Sequence, residues 1–236
     1  MNPVAIFQHF RTEGPGYFAT FLERHGIPWR LVRIDAGEAV PAGAGAFSGL
    51  VFMGGPMSVN DDLPWIAPVL ALIRDGVAAG VPVLGHCLGG QLMSKALGGT
   101  ISPNPVKEIG WGEVAIVQDA QAQRWFGHAG AAFQSFHWHG ETFTIPPGAQ
   151  RLASSAYCAN QAFALGPHLG MQCHIEMTPE MIASWCETGA REITRSSDSP
   201  GVQQVAQIEA DLASRLPALH AVADGVYARW IENLKR

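Results

Sequence analysis

Short apolar blocks bounded by Gly, Pro and polar residues recur at 3–8, 29–34, 49–53 and 81–86. Between them, residues 16–25, 64–79 and 89–98 carry apolar positions at helical spacing. Blocks of buried-strand character alternating with amphipathic helices predict a parallel sheet covered by helices on both faces. Beyond residue 108 the pattern changes. Gly112 to Val117, Ala132 to Trp138, Arg151 to Ser155 and Ala162 to Leu165 read as shorter strands, an antiparallel extension on one edge of that sheet. The tail differs again. Residues 191–201, with Ser196-Ser197-Asp198-Ser199-Pro200, read as an exposed loop, and residues 202–234 carry helical spacing interrupted by Pro217. Ile208, Leu212 and Leu216 share one face there, as do Val222, Val226 and Trp230. The expected organisation is a catalytic-type α/β domain over 1–190 and a helical extension over 191–236 packed on it or forming a dimer interface.

Composition narrows the class. Charged residues make up 15% of the 236 and apolar ones 47%, so more apolar surface than usual is expected outside the core, with self-association as its outlet. A net charge of −5 without a concentrated basic face argues against nucleic acid. The chain opens directly on Val4-Ala5-Ile6-Phe7 and has no run of 18 apolar residues, so a cytoplasmic protein without membrane attachment is expected. Cys87, Cys158, Cys173 and Cys186 form no paired framework. His137-x-His139 and Cys173-His174 lack zinc-finger or metalloprotease spacing, so neither a metal nor a cofactor is expected.

The chemistry concentrates at Gly85-His86-Cys87-Leu88-Gly89-Gly90-Gln91, between the apolar block ending at Leu84 and a helical segment. A Gly-x-Cys-x-Gly turn from strand to helix is a nucleophile elbow with sulfur in place of oxygen, and its glycines suit a tight bend. The helix N-terminus favours a thiolate there. Leu169 to Glu176 reads as a buried strand ending in His-x-Glu, followed by Thr178-Pro179, a helix start with Thr as N-cap. Strand alternation places His174 and Glu176 on one face, where a carboxylate fixes the imidazole tautomer. Earlier, 49–53 runs into Gly54-Gly55-Pro56, glycines whose N–H groups at a strand end suit an oxyanion. Gly55 and Leu88 would supply the two donors.

In this order and at these separations the three pieces resemble the class I, triad-type glutamine amidotransferase domain, in the branch that includes the amidotransferase part of guanosine monophosphate synthetase. The resemblance spans roughly residues 3–190. It implies a three-layer, flavodoxin-like, mostly parallel sheet. By position it implies Cys87 as nucleophile, His174 as general base and acid, and Glu176 as orienting carboxylate. Gly54 and Gln91 would contact substrate, and a loop formed by Trp138, His139, Gly140 and Glu141 would hold its amino-acid end. His86, Ile175 and Cys173 depart from the family pattern without removing a catalytic atom. The implied reaction is hydrolysis of the glutamine γ-amide through a Cys87 thioester, releasing ammonia for a synthetase on another chain. The alternatives are a hydrolase of other γ-glutamyl amides or peptides using the same triad, and a non-catalytic binding protein on this fold.

Overall fold

The computed structural model describes residues 1–235. Ten strands form one sheet. Its parallel half runs β2 (Trp29–Arg33), β1 (Val4–Gln8), β3 (Gly49–Phe52), β4 (Val83–His86) and β9 (His168–Met171). This is the doubly wound order in which the chain reverses direction of travel beside β1, so a crevice opens at the carboxyl ends of β1 and β3. Antiparallel strands β8 (Ala162–Leu165), β7 (Gln150–Ser155) and β5 (Ile101–Ile116) continue the sheet from β9. Strand β6 (Ala132–Phe143) and the short β10 (Gly201–Val202) also pair with β5, β6 antiparallel and β10 parallel.

The parallel strands are buried on both faces, and their alternation builds two cores. Ala5, Phe7, Leu50, Phe52 and Val83 face α2 (Ile66–Ala78) and α3 (Leu88–Ala96), whose Val69, Leu72, Ile73, Leu92 and Met93 pack against them. Val4, Ile6, Val51, Met53 and Leu84 face the opposite way. They meet α1 (Gly16–Arg24) through Phe18, Phe21 and Leu22, and α7 (Leu212–Ile231) through Tyr227 and Trp230. The helices α4 (Ala120–Phe126), α5 (Pro179–Arg195) and α6 (Val205–Ile208) join the same core.

The expected fold class is present, and several boundaries move. The antiparallel edge begins at Ile101, because β5 pairs with β6 from Ile101 onward across an irregularity between Pro103 and Glu108. Residues 172–176 are not part of the strand before them. Once Met171 has accepted from Cys87 N (2.8 Å), the chain turns to β8 and β6, with Gln172 N on Gln161 O and His174 N on Phe136 O, both 2.8 Å. Residues 191–195 are helical, since α5 runs to Arg195. Pro217 does not break α7. Buried Leu216 and Leu219 flank it, and their packing outweighs the lost backbone bond.

The expected surplus of apolar surface is also absent. Among the described residues only Met1 and Tyr157 are exposed large hydrophobics, so the apolar composition is spent on two cores rather than on an outer face. No described helix is long and apolar enough to cross a membrane.

Trp230 is fully buried and fills the space that a Cβ on Gly49 would enter. Trp230→Ala is expected to destabilise the fold by about 3–5 kcal/mol, read as a lowered urea midpoint. A midpoint within experimental scatter of the parent would show that α7 is not part of the folding unit.

Candidate active site

Cys87 stands between β4 and α3 with φ 50° and ψ −107°, a left-handed backbone costing a non-glycine residue on the order of 1–3 kcal/mol. The glycines around it do not supply the bend by their own torsions. They allow close approach. A Cβ on Gly89 would lie 1.9 Å from the Phe52 carbonyl oxygen, one on Gly90 2.4 Å from that of Met171, and one on Gly85 2.4 Å from the Gly89 carbonyl carbon. The helix is thereby pressed onto β3 and β9, and the strain falls on Cys87. Leu88 opens α3, so its N–H has no carbonyl one turn back to bond. Leu88 Cδ2 fills the space beside Gly55, at 2.7 Å from where a Cβ would sit.

His174 comes to Cys87 from the segment after β9. Its Nδ1–H donates to Glu176 Oε1 at 2.6 Å, leaving Nε2 free on the side of the thiol. Burial alone would lower its pKa, but the Glu176 carboxylate and Cys87 overcome it and hold it well above the ordinary histidine value. Burial likewise penalises the Glu176 carboxylate, yet the imidazoles of His86 and His174 hold it down to about 2. The Glu176 backbone is fixed too: its carbonyl accepts from Tyr17 N (2.8 Å), where α1 begins. Thr178 caps α5 through Met181 N, with Pro179 at its first position, as the sequence predicts.

Behind the His–Glu pair lie two residues that sequence patterns do not assign. His86 Nε2 sits 3.1 Å from Tyr227 Oη and 3.7 Å from Glu176 Oε2. Burial lowers His86, with Glu176 opposing, and burial and the same carboxylate keep the Tyr227 hydroxyl protonated. His86 therefore faces Glu176 rather than the thiol, and Tyr227 arrives from α7, far along the chain.

The site opens into a cavity of about 390 Å³, in the ordinary range for small-ligand pockets, lined by Cys87, Gly55, Gln91, Trp138, His139 and Gly140 among others. Gly54 is not in that lining, and the space a Cβ on it would take is filled by Glu13 Oε2 and His174 Cε1. Gln91 Nε2 donates to Gln172 Oε1 (3.1 Å), and Gln172 Nε2 approaches Cys87 Sγ at 3.5 Å. Trp138 to Glu141, expected as a loop, belong to β6. Gly140 falls opposite the irregularity in β5, between the His139 and Glu141 registers, so its backbone is outside the ladder.

His139 is held from both sides, with Nδ1 3.0 Å from the Glu141 carbonyl and Nε2 3.0 Å from Glu108 Oε2. Glu108, His137 and His139 bring ligand-type atoms within 4.8 Å of one another. The Glu108 oxygens already take donors from Ser155 Oγ and Gln161 Nε2, so the cluster reads as a clamp on β6. Cys173, weighed with His174 as a ligand, is not in it.

Sequence reasoning also passes over Glu13, at the carboxyl side of β1, and Trp185 on α5. Both line the cavity. Burial pushes the Glu13 carboxyl up to about 7, against the pull of His174. Trp185 meets the His174 ring edge to face at 4.9 Å. The end of β1 was a readable signal, because ligands in such sheets gather at strand carboxyl ends.

The family model described as glutamine amidotransferase class-I matches residues 19–184, and the chain belongs to that family. YfeJ of Salmonella typhimurium, described as glutamine amidotransferase-like, is 30% identical over 208 residues, 86% of this chain and 87% of that protein. GMP synthase of Thermomicrobium roseum is 32% identical over 138 residues, 58% of this chain but 24% of the synthase. The chain thus matches about a quarter of the length of such synthases. A solved glutamine amidotransferase from Methylobacillus flagellatus superimposes with a TM-score of 0.96 at 46% identity, covering 100% of this chain and 96% of that one. One from Thermotoga maritima gives 0.87 at 24% identity, covering 98% of each, a likeness of fold.

The four thiols differ in surroundings. Burial pushes Cys173 up to about 12 and Cys186 to about 11, and raises Cys158. A glutamine-like diazo-ketone is expected to label Cys87 alone, as read by peptide mass spectrometry. Labelling of Cys158 or Cys186 ahead of Cys87 would count against this site.

Proposed function

We propose that this class-I glutamine amidotransferase family member hydrolyses a γ-glutamyl amide, in the first instance the side-chain amide of glutamine, through a thioester on Cys87. The observation that carries the reading is the strained Cys87 at the floor of a cavity, beside a His174 oriented by Glu176 at 2.6 Å.

Cys87 Sγ attacks the γ-carbonyl carbon as its proton passes to His174 Nε2. The oxyanion formed is met by the N–H groups of Gly55 and Leu88. His174 then gives its proton to the leaving nitrogen, the C–N bond breaks, and ammonia or an amine departs. Water, deprotonated by His174, attacks the thioester, and collapse returns glutamate and the Cys87 thiol. Glu176 stays ionised throughout and steadies the imidazolium. Gly54, Gln91, Trp138, His139 and Gly140 are the proposed surroundings of the glutamyl moiety. The reaction uses neither metal nor cofactor.

As an amidotransferase the protein would deliver ammonia to a synthetase on a separate chain, a reading supported by its likeness to about a quarter of a glutamine-hydrolysing GMP synthase. Its free thiols suit a reducing cytoplasm. Hydrolysis of larger γ-glutamyl amides is the second reading. The carboxylates and aromatic rings around the cavity favour it, being more than an amide NH₂ requires.

A coupled assay of ammonia and glutamate over glutamine and γ-glutamyl amides tests the proposal. His174→Ala is expected to lower turnover on the order of a thousandfold or more, and Glu176→Gln by less, with both variants folded by circular dichroism. Near-parental turnover by folded His174→Ala would exclude this mechanism.

A further inference from the structure

Three carboxylates, Glu13, Glu141 and Glu192, line the cavity together with three aromatic side chains, Phe10, Trp138 and Trp185. Lys107, the only Lys or Arg among the described lining residues, is already paired with Glu192 at 2.5 Å. Glu192 also accepts from Trp138 Nε1 at 2.9 Å, and Glu141 from Ser58 Oγ at 3.1 Å. Of the three, only Glu13 has no side-chain hydrogen bond or ion pair among the described residues.

Its position gives that vacancy a direction. Glu13 Oε2 and His174 Cε1 both lie within 3.3 Å of the point where a Gly54 Cβ would stand, so carboxylate and imidazole share one corner of the cavity. The reaction brings the leaving nitrogen to His174, because His174 must protonate it. Any substituent on that nitrogen therefore starts beside Glu13. A bare NH₂ leaving group gives an acidic, aromatic corner nothing to do. An alkyl chain ending in an ammonium fits it, the chain against Trp185, which meets the His174 ring, and the charge against the Glu13 carboxylate.

We propose that the cavity selects γ-glutamyl amides whose leaving amine carries a further ammonium group, with Glu13 as its partner. The inference rests on the thioester reading above and names the substrate class of that same site. Water is the co-reactant: the amide C–N bond breaks, a C–O bond forms, and glutamate and a diamine leave. The raised pKa of Glu13 agrees with a carboxyl that is paired only when substrate supplies the cation.

The test compares kcat/KM on γ-glutamyl-diaminobutane and γ-glutamyl-butylamine, equal in chain length and differing in the terminal charge, with glutamine assayed alongside. The parent protein is expected to prefer the ammonium substrate about tenfold or more, the scale of one charged hydrogen bond. In Glu13→Gln, checked for an unchanged melting profile, the ratio is expected to collapse toward one. The parent ratio needs no variant to show whether the terminal charge is read, and the Glu13→Gln ratio shows whether Glu13 reads it. Equal rates on the two amides, or a preference that survives in Glu13→Gln, overturn the inference while leaving the thioester reading standing. Hydrolysis of none of the three compounds overturns both.

Discussion

The backbone of Cys87, held in a left-handed conformation that a side chain resists, is the constraint on which the rest of the site depends. A local sequence would relax it. It persists because α3 is anchored against two strands, with Gly89 on the Phe52 carbonyl and Gly90 on Met171, and because Cys87 N is bonded to Met171 O. Relaxing the turn would lift the helix off the sheet and empty the core formed by Leu88, Leu92 and Met93. The strain thus requires β3, β4 and β9 to be neighbours, and their adjacency brings Gly55, Cys87 and His174 into one crevice.

Electrostatics add a second layer of dependence. Glu176 is a buried carboxylate, tolerable only because His174 bonds one oxygen and His86 stands near the other. Tyr227 closes that wall from α7, so a helix outside the matched family segment reaches within one side chain of the His–Glu pair. The tail is therefore both part of the core, through Trp230, and part of the surroundings of the site.

The antiparallel edge serves the cavity. The long β5–β6 ladder carries Trp138 to Glu141 into the wall of the pocket, and the Glu108–His139–Gln161 network holds His139 in that wall. The irregularity in β5 frees the backbone at Gly140, which a continuous ladder would have consumed. Here a break in regular pairing leaves backbone polar groups beside the cavity.

Residues 85–91 by themselves determined a tight strand-to-helix turn carrying Cys87, because strand block, glycine spacing and thiol are all local, whereas strand alternation is not what places His174 and Glu176, since β9 ends at Met171. The two-sided parallel sheet was legible as well, since each apolar block states its own burial. What only the tertiary structure decided lies where distant segments meet. Strand β9 ends at Met171, and the chain beyond follows β6, with His174 N on Phe136 O, a pairing that no local pattern contains. The glycines of the elbow are needed for contact with Phe52 and Met171 rather than for their own torsions, a distinction that exists only once helix and sheet are packed. Glu13, Trp185 and Tyr227 each sit in ordinary local sequence. Their proximity to His174 and Glu176 is set by which elements the sheet order makes adjacent, a long-range property that local periodicity does not encode.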